Sequence, residues 1–230
     1  MNTSDISSTK ATLLSYLSKN VSNNSSEASS SDDIASLLQQ SCAASNSVVT
    51  KIQNKASNAS AYNSTLSNAG SLLKYLSKLS DTSADSLFTT ATSTGNTSSI
   101  VSNVENFVSG YNSTLSSLDK EEKDGQSSKE LLQTNINKYS DALKGIGITV
   151  GSNGKLSVDE STLKSSSVTD LKALFGDGTD FSDSMSAITS KIQDDTAGTC
   201  ELLTIYNASY SNSGSYSQYD YMKNLFDTLR

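Results

Sequence analysis

A chain of 230 residues with 17 basic and 24 acidic side chains carries a formal charge of −7 and a pI near 4.6. That balance gives a nucleic-acid backbone no concentrated basic face to settle on. The chain has no His, Pro or Trp and about 50 serines, and the absence of His removes Ser-His-Asp and Cys-His nucleophiles and nearly every catalytic zinc site. A non-enzyme is therefore expected, with no catalytic, cofactor-binding or metal-binding residue nominated. Hydrophobic residues make up 34%, against about 45–50% in an average domain. That favours thin architectures needing only a seam of apolar side chains. The longest apolar stretches, such as Ile146 to Val150, fall far short of the roughly 20 residues that cross a bilayer, so no membrane span is expected. Leu13-Leu14-Ser15-Tyr16-Leu17 is too short and polar for a signal-peptide core, so no cleaved signal peptide is expected. Two cysteines, Cys42 and Cys200, are too few for a disulfide scaffold. Low Cys with abundant Ser, Thr and Asn suits an extracellular surface protein.

Residues 1–31 hold a dense Ser/Asn run and little apolar periodicity, and read as a mobile terminal segment. A stalk domain is expected over 32–205. Asp32-Asp33 precede Ile34, Leu37 and Leu38 as acids do at a helix start. From Val48, one heptad position holds Ile52, Ala59, Leu66 and Leu73, and the other holds Val48, Lys55, Tyr62, Ala69 and Leu76. With no Pro to interrupt it, one helix from about Asp32 to Leu79 is predicted, roughly 70 Å long. Ser80 to Ser98 reads as a connector around a lone apolar pair, Leu87-Phe88. Val101, Val104, Val108, Tyr111, Leu115 and Leu118 then step by 3,4,3,4,3, which predicts a second long helix antiparallel to the first.

After the charged turn Asp119 to Gly125, Leu131, Leu132, Ile136, Tyr139 and Leu143 predict a third helix ending at Gly145. Ile146, Ile148 and Val150 alternate with Gly147 and Thr149, and Leu156 and Val158 alternate on the return. That predicts a β-hairpin over 146–158, with Asn153-Gly154 in a type I′ turn. Asp159 is placed to cap a helix that buries Leu163. Val168 to Phe175 reads as a short helix through Val168, Leu171, Leu174 and Phe175. A last long helix starts near Asp180 with Phe181, Met185, Ile188 and Ile192, and resumes at Leu202 or Leu203 after a polar gap around Gly198. Residues 206–230 form a Tyr-rich, flexible tail with a short amphipathic end at Met222, Leu225, Phe226 and Leu229. The fold class is thus mainly α, an elongated antiparallel helical bundle or coiled coil with one small β-hairpin.

Two acidic stretches invite a calcium reading. Asn153 to Glu160 resembles the second half of an EF-hand loop, but Thr149 and Gly151 fall where its first carboxylates belong. A turn running into a helix cap accounts for the same residues. Asp177, Asp180 and Asp183 fit a loop and helix start equally well. At this serine content, Ser-based motifs arise by chance.

Val104-Glu105-Asn106-Phe107-Val108-Ser109-Gly110-Tyr111-Asn112 resembles the FVxxYN helix of the bacterial flagellar filament-capping (hook-associated protein 2) family. Gly147-Ile148-Thr149-Val150 through Gly154-Lys155-Leu156-Ser157-Val158-Asp159-Glu160, followed by Leu163, Val168, Leu171 and Phe175, resembles that family's hairpin-helix signature at about ten positions. Asp32 to Leu79 resembles its N-terminal helical segment. The likeness covers about two thirds of the chain, but only Ser80 to Ser98 stands where the family carries large outward-facing β domains. The chain resembles a short version, a stalk without its head. The resemblance implies a structural protein at the filament tip that assists flagellin folding and insertion. It implies type III flagellar export, extracellular localisation on the flagellum and a homo-oligomer. The implied partners are flagellin, other axial proteins and an export chaperone. The alternatives are a secreted coiled-coil adhesin or binding module built on the same stalk, and a minor flagellin-like filament subunit. Both chain ends at one pole would bring Cys42 and Cys200 to about 5–15 Å of each other.

Overall fold

The computed structural model describes residues 51–121 and 123–211, with side chains as far as 204. The chain divides into two compact units, Met1–Lys51 and Ile52–Arg230, and the second carries the architecture. Cys42, the segment 1–31 and the tail beyond 211 lie outside the described residues, as does 32–50 of the first predicted helix.

The first predicted helix is interrupted. Residues 51–57 are helical, Asn58 turns, and α1 runs Ala59–Leu79. At Asn58 (φ −103, ψ 13) the N–H bonds to Lys55 O at 3.0 Å, while its carbonyl accepts from Ala61 N–H at 2.8 Å. Pro is not needed for such a break, because Asn readily leaves helical geometry. The stripe that α1 buries is Tyr62, Thr65, Ala69, Leu72, Leu76 and Leu79, stepping 3,4,3,4,3. Tyr62, Ala69 and Leu76 are the predicted seam. Ala59, Leu66 and Leu73 instead lie half-buried on its flank, because Thr65 packs inward where hydropathy counts it as polar.

The predicted connector contains a helix, α2 (Leu87–Thr94). Ser86 caps it by accepting from Thr89 N–H, and Gly95 ends it in the left-handed conformation. Phe88 and Ala91 are buried on one face of it. Helix α3 (Ser98–Lys120) buries the whole predicted seam and a second stripe through Ile100, Phe107, Gly110, Thr114 and Ser117. The turn after it is short, since α4 spans Lys123–Lys138 and Gly125 is already helical. The chain steps at Tyr139 into α5 (Ser140–Gly145), so the third helix is two. Of its predicted apolar face, Leu132, Ile136 and Leu143 are buried, whereas Leu131 is 45% exposed.

Strands β1 (Ile148–Val150) and β2 (Leu156–Val158) pair antiparallel, Ile148 opposite Val158. Their loop is one residue longer than a type I′ turn. Gly154 N–H bonds to Gly151 O at 2.9 Å and Gly151 N–H to Lys155 O at 2.8 Å, with Gly154 at φ 75. That leaves a three-residue loop of Ser152, Asn153 and Gly154, a turn closed by a left-handed glycine. Asp159 caps α6 (Glu160–Ser165) through Ser161 and Thr162 N–H, and α7 occupies Val168–Phe175. The last helix, α8, runs unbroken through Gly198 over Asp180–Ser211.

Helix α1 packs on α3 and α8, and α4 packs on α3 and α8, giving a four-helix bundle with each helix antiparallel to its two neighbours. Asn68 of α1 bonds to Ser113 O of α3, while Leu72 lies against Gly110, so the two helices run in opposite directions. Ser184 at the start of α8 bonds to Asn135 near the end of α4. The start of α1 and the later turns of α8 therefore share one pole, together with the α3–α4 turn. The opposite pole holds α2, α5–α7, the hairpin and an aromatic cluster. Phe107, Phe175 and Phe181 meet edge to face with centroids 5.2–5.9 Å apart, and Tyr139 joins Phe181 at 5.2 Å. The chain is mainly α, a helical bundle carrying one small antiparallel hairpin.

Candidate functional site

The two segments singled out by resemblance sit 44 residues apart in sequence and interlock in space. Asn112, on α3, turns its side-chain amide to the backbone of Leu156 on β2. Its Nδ2 donates to Leu156 O at 2.8 Å and its Oδ1 accepts from Leu156 N–H at 2.8 Å. The amide thus acts as one more rung on the outer edge of β2, satisfying both groups of a residue that is 5% exposed. Beside it, the Tyr111 hydroxyl donates to Gly154 O at 3.0 Å. Burial pushes the Tyr111 phenol well above its ordinary pKa, so it stays a proton donor at any physiological pH.

Local chemistry on the hairpin side sets the register of this junction. Gly147 adopts φ 85, and a Cβ there would sit 2.9 Å from Asp159 O, in a space the chain uses for the Asp159 N–H to Gly147 O bond of 2.8 Å. The sequence Gly-Ile-Thr therefore needs its glycine for a sterically crowded, left-handed entry into β1. Ile148 and Leu156 point into the core, and Thr149 and Ser157 bridge hydroxyls at 2.7 Å on the outer face. Phe107, one turn before Tyr111, anchors the same helix in the aromatic cluster.

The acidic loop residues have local partners. Asn153 Oδ1 accepts from Lys155 N–H, the Asp159 carboxylate caps α6, and Glu160 pairs with Lys164 on the next turn. Hydrogen bonds from Ser161 and Thr162 hold the Asp159 carboxyl down to a pKa of about 2. Asp180 and Asp183 occupy the first turn of α8, where the helix dipole favours acids. Among the described residues no group of three His, Cys, Asp or Glu side chains is arranged to hold a metal ion, and no helix is long and apolar enough to cross a membrane. Cys200 is half-buried on α8, but its proximity to Cys42 falls outside the described residues.

One residue escaped the sequence reading altogether. Glu121 belongs to the charged turn, which reads as solvated, yet it is 6% exposed. It continues the stripe Phe107, Gly110, Thr114 and Ser117 by one further step of four. The small polar residues of that stripe conceal the periodicity that would have placed it inside.

The fold and junction define a class: a helical bundle whose α3 is clasped to a β-hairpin by side-chain-to-backbone hydrogen bonds. The chain matches no protein-family model, no curated protein and no solved structure.

Proposed function

We propose that this chain is a non-enzymatic structural protein of the bacterial flagellum, a short cap-like subunit acting at the filament tip. The observation that carries the reading is the junction just described. The FVxxYN helix and the hairpin-helix segment, which resemble the capping family independently, are joined through Tyr111, Asn112, Gly154 and Leu156. Two chance likenesses would have no reason to meet through the residues that carry them. In this reading the protein leaves the cell through the type III flagellar channel and assembles as a homo-oligomer outside it. There it contacts flagellin and other axial proteins and helps arriving flagellin fold and insert. Serine-rich segments with weak cores pass a narrow channel unfolded and order only on packing, which suits this composition.

Deletion of the gene tests the proposal. Loss of filament growth, lost swimming and flagellin monomer accumulating in the medium are expected. Intact filaments and normal swimming in the deletion strain, with a loss confined to surface attachment, would replace the cap reading by the adhesin one.

A further inference from the structure

Glu121 ends α3 at the pole opposite the aromatic cluster. Among the described residues it is the only buried carboxyl group, and its one close polar neighbour inside the bundle is the Thr65 hydroxyl, itself buried and otherwise unpartnered. It lines a recess of about 200 Å³ between the start of α1, the α3–α4 turn and α8. Lys55, Tyr62, Asp124, Asp195, Thr196 and Thr199 share that lining.

The charges around the recess decide what it lacks. Asp124 is answered twice, by Lys55 Nζ at 2.6 Å and by the Tyr62 hydroxyl at 2.6 Å. Asp195 is answered by Lys191 at 2.7 Å. Glu121 faces Asp124 across the recess and has no cation bonded to it, because Lys55, the nearest ammonium, is held by Asp124. One positive charge is missing. Burial, with the Asp124 charge, pushes the Glu121 carboxyl above its ordinary pKa, and the Thr65 hydroxyl and the more distant Lys55 ammonium offset this only in part.

We infer that the recess binds one basic side chain, the ammonium of Lys or the guanidinium of Arg, from another protein chain, with Glu121 as its counterion. A metal ion is a poorer fit, because its ligands must converge to within about 2.0–2.6 Å and the acids here are not so grouped. An N–H-bearing cation needs only dispersed acceptors, and the Glu121 carboxylate with the hydroxyls of Thr196 and Thr199 supplies them. A polyamine is disfavoured because two of the three carboxylates already hold internal cations. A recess of about 200 Å³ has room for one side-chain head and no folded segment. The inference is independent of the flagellar reading.

Titration of the ¹⁵N-labelled full chain at neutral pH with acetyl-Gly-Arg-Gly-amide and acetyl-Gly-Lys-Gly-amide tests it. At least one peptide should shift the amides of Glu121, Asp124 and Thr196 saturably. Glu121→Gln, a neutral isostere, should weaken that binding at least tenfold, and Thr196→Val should weaken it less. Glu130→Gln, on the exposed face of α4, should leave it unchanged. Non-saturating shifts, or equal affinity in Glu121→Gln, would overturn the site. Tighter binding by spermidine, or the same shifts with potassium chloride, would overturn the assignment to a protein side chain. Should Glu121→Gln lose its helical circular dichroism, the Thr196→Val and Glu130→Gln affinities alone decide, and equality between them overturns the site.

Discussion

Asn112→Ala cuts the junction at its most exposed dependency. The substitution removes one donor and one acceptor at once and leaves Leu156 N–H and Leu156 O facing a methyl group. A buried backbone group without a partner costs about 1–3 kcal/mol, so the pair sums to about 2–6 kcal/mol. Water can reach the rim, where Asn112 is half-buried, which places the expected loss toward the lower half of that range. Against a total stability of about 5–15 kcal/mol, that is a large fraction. Asn112→Asp separates the two bonds. Its carboxylate still accepts from Leu156 N–H but sets a second negative oxygen against Leu156 O, so it should be nearly as destabilising at neutral pH and recover on protonation. Urea unfolding followed by far-UV circular dichroism gives the free energies, provided the slope is unchanged. Amide exchange should show β1 and β2 losing protection before α1 and α3. A loss below about 0.5 kcal/mol for Asn112→Ala, the scale of a surface substitution, would mean the clasp is incidental, and the support it lends the proposed function would go with it.

Other perturbations probe the helices, the turns and the buried acid. Val108→Asp puts an unpaired charge at a site 6% exposed and should melt the bundle, whereas Ser109→Asp on the outer face should shift the midpoint by less than the change for a typical surface site; equal melting temperatures would refute the seam. Gly147→Ala should cost more than Gly154→Ala although both glycines have positive φ, because backbone blocks a Cβ at 147 and only the movable end of Gln133 blocks one at 154; equal losses in urea midpoint would contradict this. Glu121→Gln should stabilise the protein at pH 7. The folded pKa of Glu121 is raised, first by burial, so its favourable contribution is complete below the unfolded value near 4.5 and is lost as pH rises through the folded one. The gain from Gln should therefore shrink toward pH 4, and a gain independent of pH would refute a charged Glu121.

What the sequence disclosed was what hydropathy can see. The α3 seam, the α7 limits, the Asp159 cap and the hairpin pairing were all legible because apolar spacing or turn chemistry marks them. Helix α2 was hidden because only Phe88 and Ala91 are buried in a segment of Ser and Thr. The rotated stripe of α1 was hidden by Thr65, and the continuity of α8 across its polar gap by Thr196, which is buried all the same. The Asn112 clasp was visible only as the last letter of the FVxxYN resemblance, since a side chain bonding to a distant backbone leaves no periodic trace. The Tyr139 step between α4 and α5 carries no Pro or Gly, and no pattern in the sequence announces it.

The buried hydroxyls also answer how a chain only 34% hydrophobic makes a bundle core. A Ser or Thr inside a helix can bond its hydroxyl to the carbonyl three or four residues back, and then presents little more than a small apolar surface. Thr114 does so to Gly110 O at 2.8 Å, Ser117 to Thr114 O at 2.9 Å and Thr189 to Met185 O at 2.7 Å. These side chains need no partner on the neighbouring helix, so they fill space without demanding a matched polar group across the interface. They also let helices approach closely, as Gly110 does against Leu72. The cost is that each buries less apolar area than Leu, at roughly 25 cal/mol per Å². Large apolar groups are accordingly concentrated where the hairpin and short helices converge, in the Phe107, Phe175 and Phe181 cluster. The opposite pole has no such aromatic cluster and sets Thr65, Thr196 and Glu121 among Ile52, Tyr62, Leu118 and Leu203.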